Sequence, residues 1–151
     1  MPPPFEYQNP SLQFERFLVD ARDFAGLATT NMAWNRVIGV LHTFRRRLTV
    51  QQIARFCSVL PPVVRALFIE DLDPDQPVLA FGTDAQLLQE VRSTRTEHNL
   101  SPANGIAAVA AALRRHVDEQ AFDHILARMP EGALRYWRGP EHGPAAASSQ
   151  D

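Results

Sequence analysis

The chain has 151 residues and a formal net charge of −2, a length that can bury a single core without staples and a charge that removes the general attraction on which nonspecific nucleic-acid binding depends. Its 45 % apolar and 21 % charged composition is that of a globular protein rather than a disordered or membrane-spanning one. The lone cysteine, Cys57, excludes an internal disulfide framework; with no basic-then-apolar leader and no apolar run near the ~20 residues of a bilayer span, the expected location is cytoplasmic.

Residues 1–10 read as an extended N-terminal segment ending in Asn9-Pro10. Beyond it, Phe14, Phe17, Leu18, Ala21, Phe24 and Ala25 share one face of a helix over residues 11–25. A second helix, over about residues 31–46, turns Trp34, Val37, Ile38, Leu41 and Phe44 inward, with Thr30 or Asn31 as cap. Thr49 and Gln52 have capping-box spacing and open a third helix carrying Ile53, Phe56, Cys57 and Leu60 on one stripe. Pro61 interrupts it, and residues 62–68 continue at a new angle with Val64, Leu67 and Phe68 buried. These elements make a unit spanning residues 11–70.

An acidic, Pro-containing connector follows at residues 71–82, in which only Val78 to Phe81 is locally β-like. The second unit, residues 83–138, opens on another capping-box spacing, Thr83 and Gln86, ahead of Leu87, Leu88 and Val91. Ser101-Pro102 starts the next helix, which presents Ile106, Val109, Ala110 and Leu113. Its alanines at 107, 108 and 110 to 112 suit a close crossing, with the other unit or with a second copy. Asp118 caps a helix striped with Phe122, Ile125, Leu126 and Met129; Pro130 breaks it, and Leu134 and Trp137 close the core. Residues 139–151 carry Gly, Pro, Ala and Ser with no apolar period and read as a disordered tail.

Leu60-Pro61 followed by Phe68 returns as Met129-Pro130 followed by Trp137, and sliding the chain by 69 positions (61 to 130) also pairs Phe44-Arg45-Arg46 with Leu113-Arg114-Arg115. The expected fold is all-α: two tandem three-helix repeats packed as one compact helical bundle, with Phe14, Phe17, Trp34, Phe56, Phe68, Phe122 and Trp137 anchoring the core. Phe17 to Ala21 with Gly26-Leu27, residues 41–48, Leu60-Pro61 through Arg65 to Phe68, and Met129-Pro130 through Arg135 to Trp137 together give a resemblance to a bacterial family, the domain of unknown function twenty-two sixty-seven. The resemblance covers about residues 12–138 and departs from the pattern at residues 92–100. It implies a helical fold with two related segments and transfers no catalytic or binding residue.

Two basic trios, Arg45-Arg46-Arg47 and Arg114-Arg115-His116, fall at equivalent helix ends, where cations complement the helix dipole and its unpaired carbonyls. The functional alternative is a pair of anion- or partner-binding sites, reinforced by Arg65, Arg135 and Arg138. Asp71, Asp73 and Asp75 imitate the start of a calcium loop, but Gln76 and Gly82 stand where glycine and glutamate are required. His116 and His124 are eight apart, unsuited to chelation from one helix face, and His42 and His98 read as surface residues, with His142 in the tail. Cys57 reads as a small buried hydrophobe, and Glu119 with Asp123 as a hydrated surface pair rather than an acid and base.

No phosphate loop, nucleophile elbow or paired-cysteine motif occurs, so neither a cofactor nor a metal is expected. The resulting expectation is a noncatalytic helical module that binds an unknown protein partner or itself, without membrane attachment. One alternative is a nucleic-acid-associated, helix-turn-helix-like factor, against which the acidic balance counts. Another is a small-molecule-binding protein or enzyme with a pocket between the repeats, lined by Trp34, Cys57 or Trp137.

Overall fold

A computed structural model describes residues 3–94 and 105–139. Among the described residues there are nine helices and no strand: α1 Phe5–Gln8, α2 Pro10–Ala25, α3 Thr30–Arg45, α4 Val50–Cys57, α5 Pro62–Ile69, α6 Asp84–Thr94, α7 Gly105–Arg114, α8 Glu119–Ala127 and α9 Ala133–Tyr136. None of them is long and apolar enough to cross a membrane. The first residues are not wholly extended, because α1 forms one helical turn before Asn9. Ser101-Pro102 and all of the tail beyond Gly139 lie outside the described residues.

Local chemistry sets the boundaries. Pro10 sits in the first turn of α2, and Gly26, left-handed at φ 70°, closes it with its N–H on the carbonyls of Arg22 and Asp23. Thr29, one residue before the expected cap, accepts the Met32 N–H at 3.1 Å and starts α3, while Thr30 joins its first turn. Reciprocal capping boxes form at Thr49 with Gln52 and at Thr83 with Gln86. Asp118 accepts from the Ala121 N–H at the start of α8. The third stripe does not reach Leu60 as helix: α4 ends at Cys57, a turn carries residues 58–60, and Pro61 adopts an extended conformation before α5.

The main packing crosses between the two halves of the chain, with α2 against α7 and α6 against α3. The alanine face of α7 is therefore internal, with Ala108, Ala110 and Ala112 buried. Gly39 serves the other crossing, since a Cβ there would lie 2.8 Å from the Val91 carbonyl oxygen of α6. Trp137, Phe44, Phe56, Phe68 and Phe122 form a continuous buried aromatic cluster at the centre, with Phe44 4.9 Å from Phe56 and 5.4 Å from Trp137 between ring centroids. Phe17 is also buried, whereas Phe14 and Trp34 pack edge to face at its half-buried margin.

Two expected core residues stand outside. The buried line of α2 is Gln13, Phe17, Ala21 and Ala25, which rotates Phe24 to the surface. In α9, Ala133 and Tyr136 take the inner positions and Leu134 is exposed. Tyr136 donates to the Val40 carbonyl at 2.6 Å, so its buried hydroxyl is satisfied. The β-like run joins no sheet: the Leu79 N–H bonds the Arg46 carbonyl, and Phe81 packs against Phe44 and Tyr136.

The contact at Gly39 gives a test. Because the obstructing atom is backbone, overpacking falls in the upper part of its usual range, about 2–3 kcal/mol, and the helix propensity of alanine returns about 1, so Gly39→Ala lowers stability by roughly 1–2 kcal/mol in urea unfolding followed by circular dichroism. A neutral or stabilising result would show that α6 does not lie this close to α3.

Candidate functional site

The two basic trios start from the same local fact, a helix end with unpaired carbonyls nearby, and the structure uses them twice in parallel. Arg45 Nη1 donates to the carbonyls of Phe68 at 2.7 Å and Glu70 at 2.9 Å. In the same register 69 positions on (45 to 114, 68 to 137), Arg114 Nε donates to the Trp137 carbonyl at 2.7 Å. Each arginine thus ties the end of a long helix to the last aromatic of its own half. Burial lowers the Arg45 pKa, helped by Arg46. Burial also opposes the charge on Arg114, but Asp123 and Glu119 outweigh it and raise that pKa.

The remaining trio members reach across to the opposite half. Arg47 grips Glu90 of α6 with two nitrogens, at 2.8 and 2.7 Å, and Arg46 adds a third bond at 2.7 Å. The Arg47 hydrogen bonds are the main reason the Glu90 carboxyl lies below its ordinary pKa. In the mirror arrangement His116 Nε2 donates to Asp20 of α2 at 2.7 Å and Arg115 reaches the same carboxylate at 3.3 Å. Because a carboxylate only accepts, the proton sits on His116 Nε2, and Nδ1 accepts from the Gln13 side-chain amide at 3.3 Å. What the sequence offered as two anion sites is arranged as internal pins and clamps. Of the six residues only the Arg115 side chain, 61 % exposed, is largely at the surface.

Other sequence candidates take modest places. His42 is not a surface residue: it is half-buried, donates from Nε2 to the Leu67 carbonyl at 2.9 Å, and has its pKa lowered by burial. Burial pushes the half-buried Cys57 thiol up, away from a nucleophilic thiolate. Glu119 and Asp123 both pair with Arg114. Asp73 caps the Asp75 N–H, and among the described residues no three acidic, histidine or cysteine side chains stand together as metal ligands. His98 and His142 lie outside the described residues.

A groove of about 560 Å³ opens between the halves, walled by α1, the start of α2, the turn from α4 into α5 and the turn from α7 into α8. Tyr7, Gln13, Arg16, Arg65, Arg115 and His116 line it, whereas Trp34, Cys57 and Trp137 do not. Arg65 is set rigidly by donating to the carbonyls of Cys57 at 2.9 Å and Leu60 at 2.6 Å, and its third arm meets the Tyr7 hydroxyl at 3.1 Å. Arg16 lies 5.3 Å from the Phe5 ring centre. Neither Arg16 nor Arg65 has a carboxylate within ion-pair distance among the described residues. Of these residues the sequence flagged Arg65, Arg115 and His116 only. Gln13 carried a readable signal, a polar side chain on the buried line of α2, but Arg16 resembles any solvated helix residue.

Over residues 14–135 the chain matches the family described as uncharacterized conserved protein DUF2267. No curated protein matches it. The matched span begins inside α2 and ends inside α9, so it includes Arg16, Arg65 and Arg115 and leaves out α1.

Acidification should destabilise the protein in two stages. His42 has a lowered folded pKa, so its contribution is complete above the ordinary value of 6.5 and is lost as pH falls below it. Glu90, also lowered, contributes above 4.5 and loses its contribution as pH falls through its folded pKa. Melting temperature against pH should therefore decline from near 6.5 and again below 4.5. Glu90→Gln should cost about 2 kcal/mol at neutral pH, since it leaves the buried Arg47 without its counter-charge, and should flatten the lower stage. A lower stage that persists unchanged in Glu90→Gln would place the acid-sensitive contact elsewhere.

Proposed function

The chain belongs to the DUF2267 family, and we propose that it is a helical protein-binding module with no chemistry of its own, holding a segment of a partner in the groove between its halves. One observation carries this reading: Arg16 and Arg65 line the groove without a carboxylate partner among the described residues, while the neighbouring basic trios are occupied by carbonyls and acids of the chain itself. Guanidinium groups held at the wall of a groove beside aromatic rings suit a segment bearing carboxylates. The acids first weighed as a catalytic pair serve Arg114 instead, which supports binding over catalysis.

A second reading, a small-molecule site, keeps one observation in its favour, since about 560 Å³ lies within the size range of ligand pockets. The nucleic-acid reading, already disfavoured by the acidic balance, gains no support from Arg45 and Arg47, which are buried.

Affinity capture from native cell extract at low salt separates these readings when the wild-type chain is run beside Arg16→Glu and, as a control on the exposed face of α4, Arg55→Glu. A protein retained by the wild type and by Arg55→Glu but lost from Arg16→Glu supports the groove. Capture indifferent to Arg16→Glu overturns it, and a melting-temperature rise with a metabolite but no captured protein would favour the second reading.

A further inference from the structure

We infer that the groove recognises a short polypeptide segment in which acidic and aromatic side chains alternate, and that the chain's own N-terminal turn, Phe5–Gln8, which walls one side of the groove, covers its arginines until such a segment displaces it. This rests on the partner-segment reading above and adds the chemistry of the partner and the means of its regulation.

The turn already shows what the groove accepts. Phe5 meets the Arg16 guanidinium, Tyr7 meets that of Arg65 through both its ring, at 6.0 Å, and its hydroxyl, and Glu6 between them lines the same groove. Yet the occupancy is poor. No residue of α1 is buried, and Phe5 and Tyr7 remain 44 % and 52 % exposed. A four-residue helix is far too short to hold itself together, and its ladder cannot run on into α2 because Pro10 has no N–H to donate. The turn therefore stays in place through two exposed ring–guanidinium contacts and one hydrogen bond, which makes it an element of low local stability.

The charges explain why a partner would win. Glu6 makes no ion pair with either arginine, so the turn covers both guanidiniums with rings and leaves both without a carboxylate among the described residues. A segment that places carboxylates beside the same rings satisfies the cations as well. Gln13 provides a second, independent pointer: it is 95 % buried (5 % exposed) and lines the groove, and its buried Oε1 has no hydrogen-bond partner among the described residues, an unmet acceptor that a rotation of the side chain would present to a backbone N–H of the incoming segment. The residues of α1 also precede the span matched to the family, whereas the arginines they cover lie within it.

The test uses the full chain and a fluorescein-labelled acetyl-Asp-Phe-Glu-Tyr-Asp peptide, read by anisotropy. A tethered competitor acts at an effective concentration in the millimolar range, so Phe5→Ala/Tyr7→Ala, which uncovers Arg16 and Arg65 without touching the core, should bind the peptide about tenfold more tightly than the unaltered chain. Adding Arg16→Gln, or raising salt to about 0.5 M, should remove the gain. Equal affinity of the two chains, with unchanged melting curves, overturns the inference; so does tightening toward inorganic pyrophosphate but not toward the peptide. If the peptide fails while partner capture still depends on Arg16, only this inference falls. If capture is also indifferent to Arg16, the groove reading falls with it.

Discussion

Everything in this molecule depends on the charged residues that end two helices being turned inward and held there by carbonyls and carboxylates, with only Nε of Arg45 and of Arg47 left buried without a partner among the described residues. Burying Arg45 and Arg47 removes two guanidiniums from water, a cost of several kcal/mol each that is offset only when their donors find acceptors in good geometry. Arg45 finds the carbonyls that end α5, and Arg47 finds Glu90 together with the Thr43 carbonyl of its own helix. These bonds fix where α5 and α6 lie relative to α3. The aromatic cluster then fills the space that they enclose. Apolar burial supplies most of the driving force, but it is nondirectional; the arginines specify which surfaces meet.

The two clamps are alike in position and unlike in chemistry. Arg47 holds its acid through a two-pronged guanidinium, whereas His116, 69 positions later, does so through a single imidazole nitrogen. The Glu90 clamp receives three guanidinium hydrogen bonds, and the Asp20 clamp one imidazole bond at 2.7 Å and one longer guanidinium contact at 3.3 Å. The weaker clamp is the one that borders the groove. A site that admits a partner is better placed beside the more yielding of two joints, because the elements that open locally are those with the fewest strong ties.

Much of the fold was legible because local signals and the apolar stripes agreed. The caps at Thr49, Thr83 and Asp118, the breaks at Pro61 and Pro130 and the buried Phe56, Phe68, Phe122 and Trp137 all follow from spacing. What spacing does not show is which carboxylate a basic helix end will meet across the chain. Glu90 and Asp20 look like ordinary solvated positions in their helices, and nothing within one helical turn points to Arg47 or His116. The register also shifts. Phe17 and Ala21 correspond to Leu87 and Val91 at a displacement of 70 (17 to 87, 21 to 91), whereas the later helices keep 69, so a single slide of the sequence misses the helices that cross between the halves. The groove was still less legible, since Arg16 acquires its meaning only from rings brought to it by a segment of no apparent structure.

The same comparison accounts for why one entry segment is loose and the other packed. The chain entering α6 brings Phe81 onto Phe44 and Tyr136, close against Gly132, where a Cβ would lie 2.8 Å from its ring. The chain entering α2 brings Phe5 onto Arg16 and Tyr7 onto Arg65. In the first half the residue in register with Gly132 is Val63, half-buried with a side chain of its own, and the residue in register with the exposed Leu134 is Arg65. An aromatic ring arriving before α6 can sink onto a glycine; those arriving before α2 meet the guanidiniums of Arg16 and Arg65. The rings stay near the surface, held by cations rather than by burial, and the correspondence between the halves breaks at the place where a groove remains.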